Sequence, residues 1–346
     1  MKKVGIVGHF GFGHKLLNGQ TIKVKILSEE FQNELGSENV MTVDTHGGAK
    51  RVPAMIGNTI TMFRNCENCM VLPAYKGVLV FIPLFSLLTK FYHRKTYYIV
   101  VGGWLDSYLN KYKWLEKLLK NYTAICVETT TMKTALEKRG FKNIEIVANC
   151  KELPELSIQD LPHGFIEPYA LCTFSRVMKG KGIENLIYAI QKVNENAGHV
   201  VYTLDIYGEV WKDYISEFEG LQKDFPEYIK YKGSVNYDKS VETLKNYFAL
   251  VFPTLFYTEG IPGTIIDAYA AGLPVISSRW ESYDDVIEDN ITGTGYEFGN
   301  DEALIDILET VKCNPQKLID MKENCLRKAK EFSPRAIVGG FIQKFF

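Results

Sequence analysis

The chain of 346 residues has almost no net charge, with 40 Lys and Arg against 41 Asp and Glu. A protein that coats nucleic acid would be more basic, or would carry a Lys/Arg stripe. Long apolar runs are also missing. The longest, Gly77 to Leu88 (GVLVFIPLFSLL), falls well short of the roughly 20 residues that a membrane-spanning helix needs. The opening MKKVGIVGHFGFGHK is basic at its start, but its apolar run is brief and is soon interrupted by His9 and His14, so it reads as a first strand rather than a leader. Seven scattered cysteines, an odd number, set up no disulfide framework and point to a reducing compartment. Cys66 and Cys69 form a lone C-x-x-C without a second pair or a nearby His run, so they are expected to be buried thiols rather than zinc ligands. No internal repeat is visible, no cluster has metal-ligand spacing, and no metal is expected.

What is present is a globular composition, 46% apolar, 23% charged and 13% aromatic, on a length that suggests about two domains. The charge is unevenly shared. Residues 1–165 hold 21 Lys/Arg and 14 Asp/Glu, and the remainder holds 19 and 27. A basic half joined to an acidic half implies different partners for the two. The basic half also contains the apolar run 77–88, followed by Lys90, His93, Arg94 and Lys95, a pairing suited to an anionic membrane surface or to a buried helix with a solvated end. Between the halves, Lys151 to Pro168 carries Pro154, Pro162 and Pro168 without amphipathic period, and reads as a linker.

Strand-like runs are expected at Val4–Val7, Val40–Val43, Tyr97–Val101, Ala124–Val127 and Glu145–Val147, then at Tyr169–Phe174, Tyr202–Tyr207, Ile229–Tyr231, Ala249–Phe252 and Pro274–Ser277. Helical patterns lie between them at Gln20–Leu35, Lys111–Leu119, Gly182–Glu195 and Tyr237–Lys245. Such alternation argues an α/β fold with a parallel sheet in each half, covered on both faces. Ligands then belong at the carboxyl ends of the strands.

Residues 249–278, ALVFPTLFYTEGIPGTIIDAYAAGLPVISS, carry the densest chemistry. A strand ends near Phe252, a loop holds Glu259, Gly260 and Ile261, and Pro262 is expected at the first helical position. The amides of Gly263 and Thr264 then open the helix, and with its dipole they form an anion site suited to phosphate. Glu259 and Asp267 border the same place and would accept hydrogen bonds from the hydroxyls of a sugar or ribose.

This stretch resembles the signature of family-4 glycosyltransferases of the GT-B fold. Glu259-Gly260 and Asp267-Ala268 hold the places of its two acids, followed by Ala271-Gly272-Leu273-Pro274-Val275. The family usually has Glu where Asp267 stands. Upstream, Arg176 follows Phe174-Ser175, and Lys181-Gly182 comes five residues later, the spacing of the family's Arg and Lys on the donor diphosphate. Ser175 replaces the usual Gly.

The resemblance implies two Rossmann-like, doubly wound domains facing a cleft. Residues 1–160 would bind the acceptor, 165–330 the nucleotide-sugar, and 331–346 would form a helix crossing back to the first domain. It implies a retaining, metal-independent transfer from a nucleotide-sugar, with UDP the family's habit, to an acceptor hydroxyl in polysaccharide or glycolipid synthesis. Glu259, Arg176 and Lys181 would be catalytic. Gly208, Lys232, Gly260, Ile261, Gly263, Thr264 and Asp267 would bind the donor, as would Gly19 at the head of Gly19-Gln20-Thr21.

The glycine-rich stretch 8–19 does not fit G-x-G-x-x-G, so a dinucleotide fingerprint is not expected. The family's His near the end of the fourth strand is absent, and Trp104 or Asp106 would take its sugar or acceptor contacts. His9 and His14 are given no role. The implied acceptor is a glycan or lipid-linked saccharide, reached in the cytoplasm or at the inner face of a membrane. A GT-B sugar-nucleotide epimerase and a non-catalytic sugar-nucleotide-binding protein stay open as alternatives.

Overall fold

The structure is a computed structural model that describes all residues except 15–18, 74, 155 and 163. Part of the glycine-rich stretch 8–19, and Glu155 and His163 of the proline-bearing linker, therefore lie outside the described residues. The chain forms two compact units, Met1–Glu152 with Phe332–Phe346, and Leu153–Glu331.

The first unit is built on β1 (Lys2–Gly8), β2 (Val40–Asp44), β3 (Cys66–Leu72), β4 (Lys95–Ile99), β5 (Ala124–Val127) and β6 (Ile144–Ile146). They form a parallel sheet in the order β2-β1-β3-β4-β5-β6. Its helices are α1 (Gly19–Leu35), α2 (Val52–Asn65), α3 (Val78–Tyr92), α4 (Leu105–Lys111), α5 (Trp114–Leu119) and α6 (Thr130–Lys138). Side chains of a strand alternate between faces. Val7, Val71, Tyr98, Ile125 and Val127 accordingly share one core with residues of α2 to α6. Val4, Ile6, Met70, Tyr97, Ile99 and Cys126 face the opposite core, with Val24, Leu27 and Phe31 of α1.

The second unit repeats the scheme with β7 (Tyr169–Phe174), β8 (Tyr202–Tyr207), β9 (Ile229–Gly233), β10 (Ala249–Phe252), β11 (Val275–Ser278) and β12 (Gly293–Tyr296). All are parallel, in the order β12-β11-β10-β7-β8-β9. Its helices are α7 (Ile183–Ala197), α8 (Ile215–Gln222), α9 (Ser240–Leu244), α10 (Gly263–Ala270), α11 (Asp301–Cys313), α12 (Gln316–Ile319) and α13 (Lys322–Ala329). The chain then returns to the first unit as α14 (Pro334–Phe345), capped by the Ser333 hydroxyl. Phe341 of α14 packs edge-on against Tyr97 and Phe31, which closes the α1 side of the first sheet.

Two strands escaped the sequence reading. β3 is a central strand, but Glu67 and Asn68 break its apolar run, and β12 contains two glycines. The helix expected over Lys111–Leu119 is instead the end of α4 and the whole of α5, because Tyr112 leaves helical geometry. Cys66 and Cys69 are free and buried on β3, and burial pushes the Cys66 thiol up to about 11. Among the described residues, no helix is long and apolar enough to cross a membrane.

Each sheet has one place where successive connections leave in opposite directions, between β1 and β3 and between β7 and β10. Binding crevices of open α/β sheets form at the carboxyl ends of strands at such points.

Candidate functional site

In the second unit, the loop that leaves the switch point after β7 is stitched by backbone to the loop after β8. Beyond β7, Ser175 and Val177 donate to the carbonyls of Tyr207 and Glu209, and Trp211 donates back to Val177. Gly208 (φ 134°) makes this approach possible, since a Cβ there would sit 1.9 Å from the Ser175 carbonyl oxygen. The pairing sets the exposed Arg176 guanidinium 5.0 Å from the Trp211 ring centroid, a cation–π contact.

The chain then makes a short turn over Lys179–Lys181 and enters α7 through Gly182 (φ 67°). A Cβ on Gly182 would meet the Pro253 carbonyl oxygen at 1.9 Å, so only glycine lets the start of α7 lie against the loop after β10. Leu255 donates to the Gly180 carbonyl across the same contact.

This packing joins residues 78 positions apart: the Lys181 ammonium donates to Glu259 Oε1, which also accepts from the Thr254 hydroxyl at 3.2 Å. The side chains of Lys181 and Glu259 are 16% and 18% exposed, so the pair is partly shielded but still reachable. The ammonium also lies 5.0 and 5.3 Å from the rings of Phe252 and Phe256. Lys179, by contrast, is exposed and paired with Glu217.

α10 starts at Gly263, with Pro262 as its extended cap residue (ψ 126°) rather than at the first helical position expected from sequence. The Thr264 hydroxyl donates to the Phe174 carbonyl, which ties the open end of α10 to the end of β7. Gly260 and Ile261 are buried beneath this turn, and Gly263 and Thr264 are half-buried. The first amides of a helix have no intrahelical partner, so this end favours an anion. Arg176, Lys181, Glu259 and the α10 amides thus come from two loops at one switch point.

Asp267 lies one turn further in, is 3% exposed, and accepts from the Ser240 hydroxyl of α9 at 2.9 Å. It borders the site as a buried carboxylate tied to α9 rather than as an open one. Gly208 and Lys232 also come together, since the Gly208 amide donates to the Gly233 carbonyl and Tyr231 donates to that of Gly208. Lys232 stands 3.9 Å from Asp205. Asp205 accepts a 2.6 Å hydrogen bond from the Tyr247 hydroxyl, and burial together with this bond pushes that phenol up.

The first-unit candidates fare differently. Gly19 opens α1, Gln20 donates to the Leu72 carbonyl at the end of β3, and the Thr21 hydroxyl lies 2.8 Å from His9 Nδ1. His9 Nε2 is 3.1 Å from His46 Nδ1, and the His14 ring lies tilted against His46, its centroid 4.7 Å away. Burial, then the neighbouring His46, lowers the His9 pKa.

Trp104 and Asp106, the proposed substitutes for the missing His, each have partners within the first unit. Trp104 donates to the Val101 carbonyl at 2.7 Å and packs against Tyr75 and Tyr108. Asp106 is ion-paired at 2.5 Å with Arg139, which also grips Glu116. Their apolar and charged contacts hold the α4–α6 corner together.

Trp211, Thr254, Ser240 and His46 were not singled out by sequence. Trp211 could have been found as the exposed aromatic three residues beyond Gly208, whereas the others carry no local signal.

Residues 164–331 match the family model for glycosyl transferases group 1. A segment of 161 residues is 27% identical to the amylovoran biosynthesis glycosyltransferase AmsK of Erwinia amylovora, covering 44% of this chain and 37% of that relative. Among solved structures, Anabaena HepE in complex with UDP and glucose aligns over 99% of both chains at 13% identity, with a TM-score of 0.73. Sucrose-phosphate synthase from Thermosynechococcus elongatus aligns over 99% of this chain and 98% of its own at 14% identity, with a TM-score of 0.74. The architecture is that of GT-B glycosyltransferases, and its second unit carries the group 1 glycosyltransferase match.

Proposed function

We propose that the chain is a retaining glycosyltransferase of family-4 type, which transfers a hexosyl-type sugar from a UDP-sugar to an acceptor hydroxyl. The observation that carries this reading is the convergence of Arg176, Lys181, Glu259 and the start of α10 at one switch point. In the transfer, the bond from the anomeric carbon to the diphosphate oxygen breaks, a bond to the acceptor oxygen forms, and the acceptor's hydroxyl proton passes to the departing diphosphate. Negative charge grows on the departing diphosphate. Arg176, Lys181 and the amides of Gly263 and Thr264 are the groups that meet it, and fixed charges in a shielded site stabilise it best.

Glu259, now paired with Lys181, would accept the donor sugar's hydroxyl hydrogen bonds once the diphosphate takes over the ammonium. Asp267, held by Ser240, takes the ribose, and Gly208 and Lys232 border the nucleotide. Positive charge is supplied by side chains and amides, so the reading uses no metal ion.

The HepE complex with UDP and glucose supports a UDP-sugar donor, and AmsK supports a role in polysaccharide synthesis. The acceptor is then a glycan or a lipid-linked saccharide, reached from the cytoplasmic side of a membrane.

The test is a thermal-shift series with UDP, GDP and ADP, followed by Arg176→Ala. A ligand at about 100 times its dissociation constant adds roughly 2.7 kcal/mol to stability. UDP should stabilise the wild type and much less the variant. No response to any of the three nucleotides would overturn the reading.

A further inference from the structure

We propose that the outer face of α3 and α5 in the first unit is a docking surface for an anionic lipid bilayer. The surface begins with α3, whose sequence VLVFIPLFSLLTKFY contains no acid. Val78, Phe81, Ile82, Phe85 and Leu88 point into the core. That leaves Val80, Leu87 and Phe91, spaced seven and four apart and so on one side of the helix, facing outward. Leu87 is 66% and Phe91 75% exposed, values unusual for large apolar side chains that recur on one helix face.

α5 packs beside α3 and adds an exposed Trp114. Leu115 and Leu119 of α5 share the core that α3 covers, so both helices belong to the same outer layer of the sheet. An aromatic and aliphatic stripe of this kind is the form in which a helix lies in a membrane interface rather than across it.

Charge selects the occupant. Residues 75–120 hold eight Lys/Arg (Lys76, Lys90, Arg94, Lys95, Lys111, Lys113, Lys117 and Lys120) and two acids, Asp106 and Glu116. Both acids are ion-paired with Arg139, which lies outside this stretch, so the eight cations face only two carboxylates, each already held by a guanidinium. Lys90 follows Leu87 by one turn, and Lys113 and Lys117 flank Trp114, so exposed cations border the apolar residues. Apolar side chains rimmed by lysines match anionic headgroups over acyl chains, and a soluble protein partner would need a dense acidic patch to do the same. The inference rests on the proposed function only for its use, since docking would bring the enzyme to a lipid-linked acceptor. The surface itself belongs to the first unit and requires no nucleotide.

The experiment is co-sedimentation of the full chain, without nucleotide, with phosphatidylcholine vesicles and with vesicles that also contain phosphatidylglycerol. Binding is expected to the anionic vesicles, weak to the neutral ones, and reduced by salt. Leu87→Ser with Phe91→Ser should abolish it with an unchanged melting temperature, because neither side chain is in the core. Lys90→Gln and Lys117→Gln should each weaken it on the order of fivefold.

Equal binding to both vesicle types, or none to either, would overturn the proposal. So would a wild-type dimer that Phe91→Ser turns into a monomer, which would assign the face to a second copy of the chain. Because UDP binding is measured separately, a chain that binds UDP but no vesicle refutes the docking surface alone.

Discussion

Lys322 offers the sharpest physical test of the second unit. It begins α13 and is 1% exposed, and among the described residues its ammonium meets the carbonyls of Tyr247 and Gly272, at 3.2 and 3.4 Å, and the Phe165 ring at 4.7 Å. No carboxylate is among these neighbours. Burial therefore dominates and lowers its pKa from 10.5 to about 8. The unfolded chain then holds more protons than the folded one between those values, so this group's contribution to stability rises with pH across that window. Below pH 8 both states carry the charge and the burial cost is fully present. Above 10.5 both are neutral and the cost is gone. That lowering corresponds to about 3 kcal/mol, most of which is recovered between pH 7 and pH 10.

Buried tyrosines and cysteines oppose this in the wild type, because their raised values remove stability as pH climbs. Lys322→Met keeps those groups and deletes the lysine. Urea unfolding of both proteins at pH 7 and pH 10, with matched m-values, isolates the difference. The wild type should gain roughly 2–3 kcal/mol relative to Lys322→Met between the two pH values. A difference independent of pH would show that the buried ammonium carries no such cost.

The remaining predictions bear on the site and on the return of the chain. Arg176→Ala, at an exposed position, should fold normally and lose about 2–4 kcal/mol of transition-state stabilisation, roughly a hundred- to thousandfold in turnover. Wild-type turnover in the folded variant would remove Arg176 from the reaction. Asp267→Asn should weaken UDP affinity in calorimetric titration more than it changes turnover at saturating donor, and an unchanged affinity would reject the ribose assignment. Gly182→Ala should destabilise the second unit by ~3 kcal/mol or more in thermal unfolding, since its φ is left-handed and the new Cβ would collide with the Pro253 carbonyl. Truncation before Ser333 should yield an insoluble or strongly destabilised chain, because it uncovers Phe31 and Tyr97. A stable, active product would contradict the packing of α14.

The strand–helix alternation was legible because parallel strands covered on both faces are rich in apolar and β-branched residues, and Tyr169–Phe174 and Tyr202–Tyr207 coincide with β7 and β8. It failed where that pattern is relaxed. On β3, the Asn68 side chain is hydrogen-bonded to the Lys3 carbonyl and to Tyr97, so a polar residue is tolerated in a central strand by partners that no local window reveals.

The site divides along the same physical line. Gly182 and Gly208 stand where backbone approaches backbone, and such positions restrict residue type strongly enough to leave a trace in sequence. The carboxylate roles depend on what each acid touches. Asp106 and Glu259 are both acids beside loops that follow strands, and sequence treats them alike. One is ion-paired with Arg139 in a corner of the first unit. The other pairs with Lys181 at the switch point, beside the open end of α10. The Lys181–Glu259 pair also suggests why a cation for the diphosphate and an acid for the sugar can stand so close without a ligand present. Each neutralises the other, so neither is left as an unpaired charge in a partly shielded place. Breaking one side should therefore cost more than removing both. A double-mutant cycle of Lys181→Met and Glu259→Gln should give a coupling energy above ~0.5 kcal/mol in stability without ligand, and strictly additive effects would show that the two side chains do not interact.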